Sequence, residues 1–347
     1  MRRTIGVVLG LILSAFSVSL AQAQLKETTI NVIGNFSGTT QSRLIEQPFW
    51  KEQIGQRSDG KIKVNFNAWN DMGLKGPEIG RLLQRGVADI GNLVLQYVSG
   101  DSPINEGSDL AGLSPSLNDL RRVVDAYDPV LAEFYDKEGL KILGNLSFQA
   151  QILYCRSEVN SLADLKGKKI RTGGVTQSDL MAAFGASGVP IAFGEVTQAL
   201  QLGVIDCAIT GTLGGYSVKW YEVAKHLYTL PINFATAVYL VDKEKWAKMD
   251  PAVRDFLQTN IKKMEADTWA LNQEEGAVGI ACNTTGPCPH GPPGGMRRVD
   301  PSPEDMRLLK QAMLETVLPR WAKRCGDACT KKWNDTVGKV TGLSATN

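Results

Sequence analysis

Histidine is almost missing. The 347 residues contain two, His226 and His290, and neither stands beside a serine or cysteine in a recognisable nucleophile motif. Ser-His-Asp and Cys-His hydrolase chemistry therefore lacks its base. Phosphate-cradling loops are missing as well: GTLGG at Gly211 to Gly215 departs from the G-x-G-x-x-G spacing, and no G-x-x-x-x-G-K-[ST] occurs. No sign of charge dominates. Lys and Arg number 38 against 36 Asp and Glu, and with Arg2 and Arg3 set aside the signs balance at 36 each. That leaves no electrostatic footprint for nucleic acid or an anionic membrane. Beyond residue 23 no apolar run reaches the roughly 18 residues a spanning helix needs. These absences point to a soluble binder rather than an enzyme, with no cofactor and no metal.

The first 23 residues have the layout of an export signal. Arg2 and Arg3 form a charged start, Ile5 to Leu20 an apolar stretch, and Ala21-Gln22-Ala23 a small-x-small cleavage site, so the mature chain is expected to begin at Gln24. No cysteine lies near the cut to carry a lipid. The expected compartment is a bacterial periplasm. About 324 residues of the 347 remain, enough for two α/β domains. Six cysteines in an exported chain imply disulfides. Cys282 and Cys288 flank a Gly/Pro-rich loop and Cys325 and Cys329 bracket a turn, so each close pair can staple its own loop, which leaves Cys155 with Cys207. Crossed pairing between the two C-terminal loops is the rival. A zinc site from these four with His290 is disfavoured, because CxxxxxC and CxxxC are not zinc spacings.

Along the chain β and α patterns alternate, which predicts an α/β fold with parallel or mixed sheets. TTINVIG (Thr28 to Gly34) reads as a strand opening into a loop at Asn35 to Thr40. KIKVNFNA (Lys61 to Ala68) alternates as a second strand, and Ala88 to Leu95 is a third. Tyr97 to Ser116 is a long loop, and such loops are often functional. Its acids Asp101, Glu106 and Asp109 are expected to be solvated, a cation site being the alternative. Leu140 to Leu146 leads to a first crossing between domains at Ser147 and Phe148, and Phe234 to Val241 is the return. Val253, Leu257, Ile261, Met264 and Leu271 predict one long helix over Pro251 to Glu275, lying across both domains. Glu274 and Glu275 are expected on its solvated face. The segment from Asn283 to Pro303, with six prolines and four glycines, is expected to be loop. The final helix, Pro303 to Lys323, carries packing residues. The expected organisation is residues 24–148 with 237–276 in one lobe and 149–236 with 277–347 in the other, the latter including a disulfide-stapled extension.

Arg171 carries the functional reading. It ends KGKKIR at the exit of a short strand, facing a crevice, and ligands of open α/β sheets bind beyond the carboxyl ends of strands. A guanidinium there can clamp a carboxylate with two parallel hydrogen bonds; a surface salt bridge is the plainer use.

NSLADLKGKKIR, followed by FGASGVPIAFGEVTQALQLGVIDCAI, resembles the solute-binding subunit of tripartite ATP-independent periplasmic (TRAP) transporters. The similarity runs in spacing from Thr28 to about Glu275, and the cysteine-bearing C-terminus lies outside it. The resemblance implies two α/β lobes of the type II periplasmic-binding kind, a long helix across both, closure around an organic anion, and delivery to a membrane permease. Arg171 matches the family's carboxylate-binding arginine. Where dicarboxylate and sialic-acid members carry a second cleft arginine, this chain has Gln151, with Arg156 the alternative if the register slips. That departure favours a monocarboxylate, since a second buried carboxylate would lack a charged partner. The remaining cleft candidates are Asn35, Trp69, Tyr97, Gln149, Thr210, Thr212, Tyr216 and Trp220. A monomer is expected. A binding protein of an ABC importer or sensor would share this architecture, and a periplasmic enzyme is the more distant alternative.

Overall fold

The computed structural model describes residues 25–346. The expected export signal and the expected start at Gln24 lie outside the described residues. Among those described, no helix is long and apolar enough to cross a membrane.

Eleven strands follow in chain order: β1 (Thr28–Gly34), β2 (Ile62–Ala68), β3 (Ile90–Val94), β4 (Leu140–Ser147), β5 (Gln151–Cys155), β6 (Lys169–Thr172), β7 (Ser187–Pro190), β8 (Cys207–Gly211), β9 (His226–Asn233), β10 (Thr236–Asp242) and β11 (Arg297–Val299). They form a five-stranded sheet, β2-β1-β3-β10-β4, and a six-stranded sheet, β11-β9-β5-β8-β6-β7. The sheets are mixed. β1 runs parallel to β2 and β3, but β10 lies antiparallel between β3 and β4. It returns from the second sheet through Phe234 and Ala235 alone, with no crossover helix to reverse its direction. β11 sits inside the segment expected to be loop, where three residues free of proline and glycine pair with the edge of β9.

Two short passages join the sheets: Phe148 to Ala150 between β4 and β5, and Phe234 to Ala235 between β9 and β10. They lie side by side, the Phe148 amide donating to the Ala235 carbonyl at 3.2 Å. Ala235 has φ 61°, a left-handed conformation rare for a residue with a Cβ. The Asp109 carboxylate holds it there, accepting from the Ala235 amide at 2.7 Å, the Phe234 amide at 3.2 Å and Asn233 Nδ2 at 2.8 Å. Glu106 works similarly at a distance of 70 residues, accepting from the amide and hydroxyl of Thr176 in the first turn of the helix Val175–Ala183.

The expectation of solvated loop acids fails for both: Glu106 is 4% and Asp109 6% exposed, because the loop folds inward to satisfy buried backbone donors. Asp101 alone remains exposed. Among the described residues no cluster of His, Cys, Asp or Glu is arranged to hold a metal.

Burial raises both acids, Glu106 from 4.5 to about 7 and Asp109 from 3.8 to about 7, against the donors that favour ionisation. A raised acid binds its proton more tightly in the folded chain. Its stabilisation is thus complete below about pH 4 and is lost as pH rises to about 7. Denaturant melts at pH 5, 6, 7 and 8 are expected to show falling stability, and Glu106→Gln to flatten the slope. A flat profile in the parent protein would contradict this.

The helix Pro251–Asn283 has 33 residues, about 50 Å at 1.5 Å per residue, and continues eight residues beyond the expected end at Glu275. Its first half packs Val253, Leu257, Ile261 and Met264 into the core of the first sheet. Its second half passes Thr212, where only a glycine fits: a Cβ on Gly279 would lie 2.4 Å from Thr212 Oγ1 and 2.7 Å from the Leu213 amide.

The C-terminal helices fix the 97–116 loop from outside, Trp321 Nε1 donating to the Pro103 carbonyl at 2.8 Å and Trp333 Nε1 to the Gly107 carbonyl at 2.7 Å. The disulfides are Cys155–Cys207, Cys282–Cys288 and Cys325–Cys329.

Candidate functional site

Between the sheets lies a cavity of about 50 Å³, room for roughly four water-sized spheres and hence for a compact solute. Its lining comes from the carboxyl ends of strands and the passages between sheets. Asn35 and Phe36 follow β1, Gln96 and Tyr97 follow β3, Gln149 precedes β5, Gln151 opens it, Arg171 lies on β6, and Thr210 and Gly211 end β8.

Arg171 is 2% exposed. Its Nε donates to the Ile191 carbonyl at 2.9 Å and Nη1 to the Ile209 carbonyl at 2.8 Å, which fixes the plane of the guanidinium and leaves Nη2 unanchored by the backbone. The Tyr97 hydroxyl lies against it. Burial pushes the Tyr97 phenol up, the neighbouring cation opposing, and burial pulls Arg171 below its usual value. The Phe193 ring stands 5.9 Å from the guanidinium carbon. Among the described residues no carboxylate pairs with Arg171. A buried cation without a counterion is costly unless an anion joins it.

Six expected cleft residues line the cavity: Arg171, Gln151, Asn35, Tyr97, Gln149 and Thr210. The other four do not. Trp69 is 3% exposed and stands behind Asn35, its indole donating to Asn35 Oδ1 at 3.3 Å. Trp220 is fully buried, edge-on to Tyr154 and tilted against Phe193. Thr212 and Tyr216 are carried away because β8 ends at Gly211 and the chain turns into the helix Thr212–Ser217. The Thr212 hydroxyl donates to the Glu275 carbonyl at 3.5 Å and the Tyr216 hydroxyl to that of Pro292 at 2.8 Å. Arg156 follows the far end of β5 and is exposed; Gln151 is the residue the register brings to the cavity.

The apolar wall of the cavity is built from phenylalanines. It is Phe36 against Phe193, centroids 5.1 Å apart and edge-on, with Trp69 and Trp220 behind them. Gln96 also lines the cavity; its signal in sequence is a glutamine directly after the apolar run of β3. Lys75 and Glu195 form an ion pair of 2.6 Å, an exposed contact of small energetic weight.

Behind the lining stands a carboxylate that the sequence reading placed in solvent. Glu275 is 3% exposed. It accepts from the Thr40 hydroxyl at 3.0 Å and from Gln149 Nε2, and burial raises its pKa. The long helix turns it inward against Gln149 and Thr40, both of which donate to Oε2, while Oε1 is buried without a partner. Glu46 supports Asn35 in the same way, accepting from the Asn35 amide at 2.9 and 3.0 Å, Ser42 Oγ at 3.1 Å, Asn92 Nδ2 at 3.0 Å and the Tyr239 hydroxyl.

Two sheets, two adjacent passages and a buried guanidinium at strand ends thus frame one cavity. The sequence pattern of the bacterial extracellular solute-binding proteins, family 7, matches residues 36–280. The chain belongs to that family. The 2,3-diketo-L-gulonate-binding periplasmic protein YiaO of Escherichia coli (strain K12) is 24% identical over 255 residues, 72% of this chain and 76% of its own length. A solute-binding protein of Sulfitobacter sp. (strain NAS-14.1) is 27% identical over 182 residues, 51% of this chain; the match spans about half of that relative, 55%. Among solved structures, the TRAP periplasmic solute-binding protein of Sulfurospirillum deleyianum with bound succinate superposes with a TM-score of 0.76 at 21% identity, covering 90% of this chain and 99% of that one. This family-7 chain therefore shares the two-lobed α/β fold of the TRAP receptors.

Proposed function

We propose that this protein captures a small organic acid in the periplasm and hands it to a TRAP membrane permease. The observation that carries the reading is Arg171, buried, held in plane by two carbonyls and facing the cavity with no carboxylate partner among the described residues. The ligand's carboxylate would be its counterion. Lobes formed by residues 24–148 with 237–276 and by 149–236 with 277–347 would open at the two passages and close over the bound acid, the added contacts favouring the closed form. No bond in the ligand changes. Gln151 in place of a second cation supports a monocarboxylate, although the succinate receptor above takes a dicarboxylate. The protein would act as a monomer.

A thermal-shift panel of mono- and dicarboxylates, sulfonates and sugar acids tests this on the mature chain. An acid at 100 times its Kd stabilises the native state by about 2.7 kcal/mol, and the expected rise is roughly 5 °C for a chain of this size. No shift with any anion would sink the proposal.

A further inference from the structure

The lining amides of the cavity have fixed orientations, and these determine what a ligand must offer. Asn272 Nδ2 donates to the Ser147 carbonyl at 2.6 Å, so its Oδ1 is the acceptor that receives Gln149 Nε2 at 3.0 Å. Gln149 Nε2 donates to Glu275 as well. Gln151 Nε2 donates to the carbonyls of Gln149 and Phe234, both at 3.1 Å. Carbonyl and carboxylate oxygens only accept, so neither glutamine can be flipped without losing two hydrogen bonds.

Each glutamine is thereby left with Oε1 as a bare acceptor. Both side chains line the cavity, both residues are 4% exposed, and neither oxygen receives a hydrogen bond from the described residues. Gly211 keeps one of them uncovered: a Cβ there would come within 2.8 Å of Gln149 Oε1. Its φ of −60° suits any residue, so glycine serves space here and not conformation.

The opposite polarity comes from Asn35, which is 6% exposed. Its Oδ1 accepts from the Phe36 amide at 2.6 Å and from Trp69 Nε1, which fixes Nδ2 as a donor, and that Nδ2 is buried without a partner.

A second carboxylate at Gln149 and Gln151 would meet two acceptor oxygens backed by Glu275. A donor would satisfy both. We propose that the site selects compact monocarboxylates bearing an N–H or O–H donor, read by Gln149 Oε1 and Gln151 Oε1, with an acceptor oxygen for Asn35 Nδ2. This rests on Arg171 as the carboxylate clamp.

Calorimetric titration of the mature protein with matched acids tests it: lactate against propionate, pyroglutamate against cyclopentanecarboxylate, and succinate. In each pair the donor-bearing acid is expected to bind about tenfold tighter or more, and succinate no tighter than propionate. Gln151→Met, verified as folded by its melting curve, is expected to bring each pair within about threefold by weakening the donor-bearing acid alone. Equal affinities within the pairs of the parent protein, or succinate as the tightest ligand, would overturn this inference and leave the clamp standing. Failure of every acid would remove the clamp and this inference together.

Discussion

Arg171→Ala is expected to abolish the response to organic acids, lowering affinity by a factor of about 100 or more. Removing one member of a buried charge pair costs on the order of 2–5 kcal/mol, and each 1.4 kcal/mol is tenfold in Kd. Arg171→Lys is the sharper test because charge is kept. In the parent protein, Nε and Nη1 are held by the Ile191 and Ile209 carbonyls, so the guanidinium satisfies its surroundings and still presents donors to a carboxylate. An ammonium has three donors on one atom. If it satisfies those carbonyls it has no parallel pair left, and if it reaches the ligand it leaves buried carbonyls bare. The lysine variant is therefore expected to bind about 10- to 100-fold more weakly. Titration with the best acid of the panel measures both variants, and a lysine variant within about twofold of the parent would take Arg171 out of the site.

The second large effect is on stability. Cys155 and Cys207 face each other in register on the antiparallel strands β5 and β8, with Cα atoms 4.1 Å apart and a sequence separation of 52. Cross-linking over that separation restricts the unfolded chain by about 4 kcal/mol in the chain-entropy description. The other two bridges span 6 and 4 residues, for which the same description gives about 2 kcal/mol each. The Cys155→Ala/Cys207→Ala variant is expected to melt roughly 8 °C lower, a larger loss than either other double alanine produces. Melting curves of the three variants decide it. An equal or reversed order would show that these bridges do not act through the unfolded chain.

Strand patterns and the arginine were legible because they depend on neighbours in sequence. TTINVIG and KIKVNFNA alternate or run apolar as their burial in β1 and β2 requires, and Arg171 stands where a strand ends. The buried acids were illegible because their partners are remote: Glu275 accepts from Thr40 at a separation of 235 residues, Glu106 from Thr176 at 70. The long helix did carry a trace of this. Its buried stripe of Val253, Leu257, Ile261 and Met264 continues not through Leu271 but through Thr268, Asn272, Glu275 and Gly279. A core stripe that turns polar while keeping its period marks the point where a helix leaves a core and passes a cavity. The tryptophans misled for a simpler reason. A large ring is as suited to a wall as to its backing, and sequence does not tell which layer it occupies. The antiparallel β10 was hidden because direction is set by a two-residue return, not by the residues of the strand.

The position of β10 also orders the making of the molecule. Among the described residues it is the only strand that pairs with β4, and it fills the edge of β3 as well. Until Asp242 has been synthesised, the first sheet is three strands with an open seam and a fourth with nothing to join. By then β5 to β9 of the second sheet already exist. Neither half can be finished and set aside while the other is being made. A chain cut anywhere before residue 242 is thus expected as a sticky fragment with unpaired strand edges, never as a free-standing lobe.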